Sequence, residues 1–432
     1  MKKVLIISPS FPPVNAADMH RVRQSLPYFK EYGWEPVVVV VEPDYIEASK
    51  DELLLQTVPQ DIEIIKIKAL STKYTKKLGL GSLALRSLWF YYAKVNQLLK
   101  KRKFDLIYFS TTMFPLPILG RVWKKKFEVP YVIDMQDPWL TDYYLQKPKH
   151  ERPPKFWFSY RLNQLTEPFA MKKADGIIAV SEAYNLILQD RYKNIKPDNC
   201  TTLTFGAFEK DFDVLNKIKI PNLFFDPEDG LIHIPYIGRA GHDMQFSITC
   251  IFQALQKGLN ENPGLFQKIR MYFIGTSYAA SGKGKKTVEP IAEAFAVSKY
   301  VNESTDRIPY FQALRLLKDA SMLLVPGSDD PKYTASKLYN YILARKPMLA
   351  VFHEASSVNA ILQVTGAGIP LAFSEVNAVN VACTAEKIYQ GWYNMLLKLP
   401  FSPDTDWQAF QPYTAREMTK KQTMHFEKKL KL

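Results

Sequence analysis

Twelve short runs of consecutive apolar, largely β-branched residues constrain this chain most. In the first half they are Lys3–Ser8, Pro36–Val41, Ile62–Ile67, Asp105–Ser110, Pro130–Ile133, Gly176–Val180 and Thr201–Phe205. In the second half they are Leu231–Ile237, Arg270–Ile274, Ser321–Val325, Pro347–Phe352 and Gly368–Phe373. Most are continuous rather than alternating, as strands covered on both faces of a parallel sheet must be. Helical stretches separate them, for example Ile248, Ile251, Phe252 and Leu255 on one apolar face. The pattern breaks between 213 and 230, at Lys217, Lys219, Pro221, Phe224-Phe225 and Pro227-Glu-Asp-Gly, and restarts at Leu231. A chain of 432 residues also exceeds one ordinary core. The expectation is α/β, with two doubly wound, Rossmann-like domains facing a central cleft. The first domain spans 1–215 and the second 225–410. A C-terminal helix or tail over 411–432 could return to the first. Ligands of such sheets bind beyond the carboxyl ends of the strands.

Apolar residues make up 47% and charged residues 23%, an ordinary globular balance that excludes extended disorder. The three cysteines are scattered, which argues against a disulfide framework or a zinc site and fits a reducing compartment. The run Val4–Ile7 is too short for a signal segment, and no window approaches the ~18 apolar residues of a spanning helix. The net charge of +14 invites an anionic partner. No nucleic-acid motif accompanies it, so nucleic acid is not expected. Between Glu63 and Asp105 lie Lys66, Lys68, Lys73, Lys94 and Lys103, among others, with no acid between, interleaved with Trp89, Phe90, Tyr91 and Tyr92. Such a segment either lies on an anionic membrane as a peripheral contact through 66–103, or is a domain helix with aromatic core residues and solvated lysines.

Four loops could carry chemistry. Tyr236-Ile-Gly-Arg-Ala-Gly241 follows the first strand of the second half and opens a helix. Gly238 permits a tight turn, the helix N-terminus attracts an anion, and Arg239 could clamp a diphosphate. Tyr333-Thr-Ala-Ser336-Lys337-Leu-Tyr-Asn340 offers Thr334, Ser336 as an N-cap, Lys337 in the first turn and Asn340 on the same face. In Asp134-Met-Gln-Asp137-Pro-Trp139, Asp137 could accept a proton or orient a hydroxyl, and Trp139 could stack on a sugar. The loop Ser8–Ala17 with Asn15, Ala16, Ala17 and His20 precedes the first helix, which Pro27 should kink or delay. Ser281-Gly-Lys-Gly-Lys-Lys-Thr287 has the wrong spacing for a phosphate loop and reads as a flexible basic segment. Asp329-Asp330 lacks a supporting ligand cluster, so no protein-bound metal is expected.

In order and spacing, these segments resemble the family-4 type of retaining glycosyltransferase, which has the two-domain GT-B fold. Ser10-Phe-Pro-Pro, Asp134-Met-Gln-Asp-Pro-Trp, Ala174-Asp-Gly-Ile-Ile-Ala-Val-Ser181, Tyr236-Ile-Gly-Arg239 and Ala335-Ser-Lys-Leu-Tyr-Asn-Tyr-Ile-Leu-Ala-Arg-Lys-Pro carry the likeness. It implies a nucleotide-sugar donor, no protein-bound cofactor, and transfer of a hexose-type sugar to a glycan or lipid-linked acceptor in cell-surface polysaccharide synthesis. The setting would be cytoplasmic, at the inner face of the membrane. It implies catalytic roles for Arg239, Lys337 and Asp137. Gly238, Thr334, Ser336 and Asn340 would bind the donor, and Asn15, Ala16, Ala17, His20, Asp137 and Trp139 would line the acceptor side. The chain departs from the pattern where the family has a ribose-binding glutamate, here Asn340. It departs again at Lys332, where an acid is usual, and at Ala16-Ala17, where glycines are usual. An uncharged amide at 340 costs a charge-assisted bond, ~1–2 kcal/mol. The alternative implied by these departures is a catalytically weak GT-B paralogue acting as a binding or scaffold protein.

Overall fold

The computed structural model describes all residues except 76–80, 146–147, 150–151, 153–154, 280, 331–332, 334 and 431–432. The chain divides into two compact units. One comprises Met1–Gly206 with Ala415–Leu432, the other Ala207–Thr414.

The first unit is built on a seven-stranded parallel sheet. Its strands are β1 (Lys2–Ile7), β2 (Trp34–Val41), β3 (Glu63–Ile67), β4 (Leu106–Ser110), β5 (Tyr131–Met135), β6 (Gly176–Ala179) and β7 (Cys200–Thr202). They lie in the order β3-β2-β1-β4-β5-β6-β7, and the direction of travel reverses between β1 and β4. Both faces of the sheet are covered. Leu5, Ile7, Val39, Ile107, Phe109 and Ile133 point into a core with Tyr91, Trp123 and Met171 from the flanking helices. Trp123 stacks on Phe109 at 5.9 Å. The alternate residues Val4, Ile6, Val38, Tyr108 and Val132 are equally buried. Double coverage is the reason the strands read as continuous apolar runs.

The C-terminal helix Ala415–Leu430 closes the second face of this sheet. Phe426 is fully buried, with ring centroids 5.0 Å from Tyr108 and 5.4 Å from Trp34. Lys429 donates to the Asp198 carbonyl at 2.6 Å, and His425 bonds Thr201 at 2.8 Å. The first helix, His20–Ser25, ends ahead of Pro27, and a single 3₁₀ turn, Leu26–Tyr28, continues it. Pro27 thus shortens the helix as its missing N–H requires.

The second unit carries β8 (Ile232–Ile237), β9 (Ile269–Ile274), β10 (Val301–Ser304), β11 (Leu323–Pro326), β12 (Met348–His353) and β13 (Ile369–Phe373). Two parallel ladders run β10-β9-β8 and β11-β12-β13. Ser321 joins them at the start of β8 and β11, where its N–H and hydroxyl both bond the His233 backbone at 3.0 Å. Pro235 and Pro326 each remove a donor from the seam between the ladders. The sequence pattern missed β10, because Val-Asn-Glu-Ser has a single apolar residue. Buried Glu303 accepts the N–H groups of Thr287, Val288 and Glu289 instead of facing solvent. The helix Glu209–Lys217 begins inside the span expected for the first domain, 1–215, yet belongs to the second unit. Phe212 and Leu215 are its buried apolar residues.

The basic stretch is largely core in character. The helix Leu83–Lys101 buries Leu83, Ala84, Tyr91, Val95 and Leu98, and Arg86 donates to the carbonyls of Leu70 and Tyr45. Trp89 is the exception among its aromatics, at 70% exposure. No helix among the described residues is long and apolar enough to cross a membrane.

Candidate functional site

In the second unit, β8 ends at Ile237 and the chain turns through Gly238 at φ +146°, a conformation that side chains rarely adopt. A Cβ at this position would collide with the Lys337 ammonium. Lys337 immediately precedes the helix Leu338–Leu343. That helix is pinned to the strand end by Tyr341, whose hydroxyl accepts the Ile237 N–H at 2.8 Å. The Lys337 Nζ donates to the Tyr236 hydroxyl at 2.6 Å and lies 4.4 Å from that ring's centre. Tyr236 passes its own proton to the Arg239 carbonyl at 2.7 Å. No carboxylate among the described residues pairs with Lys337. Burial, reinforced by the charge of Arg239, lowers its pKa to about 7.

Arg239 is held differently. Its guanidinium forms a two-pronged bridge to Asp243, with Nη1–Oδ1 2.5 Å and Nη2–Oδ2 2.7 Å. Gly241 makes this fold-back possible, since a Cβ there would run into Arg239 and lie 2.6 Å from Asp243 Oδ1. The bridge raises the Arg239 pKa further. Burial opposes ionisation of Asp243, but bonds from Arg239 and Ser328 outweigh it and hold the carboxyl below its ordinary range. Asp243 lies in the 3₁₀ turn His242–Met244, which leads into the helix Gln245–Glu261 with no side-chain cap. Gly238, Arg239 and Lys337 therefore meet at the carboxyl end of β8, where a doubly wound sheet binds ligands. Asn340 stands three residues after Lys337, and its Nδ2 donates to the Tyr310 hydroxyl at 3.3 Å.

Ser336 is not an N-cap. It sits exposed in the turn before Lys337, and no side chain caps the helix Leu338–Leu343. Ser336 and Lys337 form a turn, so the helix starts one residue later than the capping reading needs. Thr334 and Lys332 lie outside the described residues. The basic segment after Ser281 is tied down at one end, where the Asp306 carboxylate accepts from Ser281 Oγ and the Gly282 N–H, both at 2.9 Å. At the other end Thr287 donates to the Ala240 carbonyl at 2.6 Å. No group of three or more potential metal ligands occurs among the described residues.

In the first unit, Asp137 is exposed beyond the end of β5. Trp139 does not offer a platform for a sugar. It is 2% exposed, its ring stacks on Phe114 at 4.7 Å, and its Nε1 donates to Asn163 at 3.2 Å. Large apolar side chains near a strand end are drawn into the core unless something holds them out. Asn15 and Ala16 are partly buried, with the Asn15 N–H donating to Ser49, and Ala17 is exposed. His20 lies 3.1 Å from Arg23, and burial with that charge pushes the imidazole well below its ordinary value.

Sequence reasoning passed over a buried polar cluster beside these residues. Arg21 pairs with Asp134 at 2.8 Å, both fully buried, and donates to the carbonyls of Leu203 and Thr204. Gln136 bonds Asp134 at 2.8 Å and the Asp18 carbonyl at 3.2 Å. Asp18 is buried, and this raises its carboxyl despite bonds from Thr112 and Thr111. In Asp134-Met-Gln-Asp137, the first acid is thus a structural ion pair and the second faces solvent. Only the pairing of Arg21 with Asp134 separates them, and nothing local in the sequence signals it.

Residues 21–206 match the model of the glycosyl transferase 4-like domain. The matched residues all lie in the first unit, which is similar to that domain. Along its whole length the chain is similar to several solved structures. Anabaena HepE, in complex with UDP-glucose, is 14% identical, with 99% of this chain and 100% of that one covered and a TM-score of 0.58. A glycosyltransferase from Rickettsia africae is 12% identical, covering 100% and 99%, at 0.57. A putative UDP-N-acetylglucosamine 2-epimerase from Listeria monocytogenes is 10% identical, with 99% of this chain and 96% of that one covered, at 0.51. No curated protein matches the sequence. At these identities the likeness establishes the fold, which is GT-B with two Rossmann-like domains, and the chain resembles the family-4 glycosyltransferases. The same fold serves transferases and an epimerase, so the chemistry has to be argued from the site.

Proposed function

We propose that this protein is a retaining glycosyltransferase that takes a hexose-type sugar from a nucleotide sugar. The observation that carries the reading is Lys337, an ammonium without a carboxylate partner, set against the bare backbone of Gly238 beside Arg239. A diphosphate placed there would meet two cations and the uncapped start of the helix Gln245–Glu261. Arg239 and Lys337 would stabilise the charge that develops on the leaving diphosphate. Same-face attack then needs no covalent nucleophile, and the donor phosphate takes the acceptor proton. Asp137, exposed beyond β5, orients the acceptor hydroxyl. UDP-glucose bound to the similar HepE supports a nucleotide sugar as donor.

The acceptor is a glycan or a lipid-linked saccharide, in cell-surface polysaccharide synthesis at the cytoplasmic membrane face. Trp89 beside Lys66, Lys68 and Lys94 supports the peripheral contact. A second reading, a binding or scaffold paralogue, is favoured by one observation: Asp243 occupies both terminal nitrogens of Arg239. A panel of nucleotide sugars, tested by calorimetry and donor hydrolysis with the product anomer read by NMR, separates the two. Turnover with retained configuration is the expected result. Binding without turnover for every donor would favour the scaffold, and absence of any nucleotide binding would end the transferase reading and leave the scaffold.

A further inference from the structure

We infer that Tyr310 and Asp211 are positioning residues that make Asn340 a hydrogen-bond acceptor for a ribose hydroxyl. The inference rests on the nucleotide-sugar reading above. Three side chains of the second unit form a chain. Asn340 Nδ2 lies 3.3 Å from the Tyr310 hydroxyl, and that hydroxyl lies 2.7 Å from Asp211 Oδ2. Asp211 is fully buried in the helix Glu209–Lys217, and Tyr310 opens the helix Tyr310–Asp319.

The order of the chain follows from the protons available. A carboxylate only accepts, and a tyrosine hydroxyl has one proton to donate. Tyr310 therefore gives its proton to Asp211 and has only lone pairs left for Asn340. Asn340 must answer with its NH₂ group, so its Oδ1 is turned away from Tyr310. No described residue bonds that Oδ1. The uncharged amide at 340 thus presents the same kind of atom, a carbonyl-type oxygen, that a glutamate would present. The buried Asp211 supplies from behind the negative charge that the amide lacks.

The test uses the full-length protein and whichever of UDP, GDP or ADP binds it best. Affinities are measured by calorimetry for that nucleotide, its 2′-deoxy and 3′-deoxy forms, and the corresponding fluoro forms. Fluorine cannot donate a proton. With Oδ1 as acceptor, one deoxy form should lose about tenfold in affinity, and its fluoro counterpart should lose as much. In Tyr310→Phe that penalty should shrink to about threefold or less, because nothing fixes the amide. In Asp211→Asn the carboxamide can donate to Tyr310, which reverses the chain and turns the Asn340 NH₂ outward. The fluoro form should then bind better than the deoxy form. A fluoro form that outbinds the deoxy form in the unmodified protein would overturn the inference. So would a hydroxyl penalty unchanged in Tyr310→Phe, or no penalty for either hydroxyl. Failure of all three nucleotides to bind would instead remove the nucleotide-sugar reading itself.

Discussion

If Lys337 holds the donor diphosphate as proposed, its lowered pKa ties donor binding to pH. Free Lys337 titrates at about 7, because burial and the Arg239 charge disfavour its ammonium. A diphosphate favours the ammonium, so the bound lysine has a higher pKa than the free one. Below pH 7 the lysine is charged in both states and binding moves no proton. Above pH 7 the free lysine is mostly neutral, and each binding event takes up a proton. Affinity must then fall as pH rises, by at most tenfold per pH unit, or about 1.4 kcal/mol, until the bound lysine also deprotonates. Between pH 7 and 8.5 this amounts to at most about sixteenfold. A nucleotide sugar is the right probe, since its diphosphate is doubly esterified and does not titrate near neutrality. Calorimetry in buffers of different ionisation enthalpy counts the protons directly. Lys337→Met should bind weakly and without this pH dependence. A flat affinity from pH 6.5 to 8.5, with enthalpies independent of buffer, would refute the assignment of Lys337 to the diphosphate.

Asp243→Asn releases Arg239 from its two-pronged bridge, so diphosphate affinity should rise about fivefold by calorimetry. A drop would mean that Asp243 aims the arginine rather than competing for it. Asn340→Glu places a second carboxylate across the single Tyr310 proton from Asp211. Nucleotide affinity should fall about fivefold rather than improve, read in the same titration. Phe426→Ala empties a fully enclosed site between Tyr108, Trp34 and Phe29 and should cost about 3–5 kcal/mol, measured as an earlier urea transition of the first unit.

The strands were legible because burial on both sheet faces writes itself into sequence as continuous apolar runs. All twelve runs correspond to strands, from β1 at Lys2–Ile7 to β13 at Ile369–Phe373, and only the polar β10 escaped. Gly238, Arg239 and Lys337 were legible as candidates because a glycine and two cations at a strand end and a helix start have few structural uses, and the structure brings the three together. The partners that tune them were not. Asp243 is four residues from Arg239 and was visible, yet its grip depends on Gly241 leaving the path open. Asp211 and Tyr310 are 129 and 30 residues from Asn340, and only packing of the second unit joins them. Trp139 misled because an aromatic beside an acid looks like a sugar platform, while its contacts with Phe114 and Asn163 are set by tertiary packing.

The most direct measurement is a crystal structure of the protein with a bound nucleoside diphosphate. The diphosphate should lie on the Gly238 backbone, within hydrogen-bond reach of Lys337 and an Arg239 released from Asp243, with a ribose hydroxyl facing Asn340 Oδ1. A diphosphate bound elsewhere, with Arg239 still bridged to Asp243 and Lys337 still bonded only to Tyr236, would contradict the account.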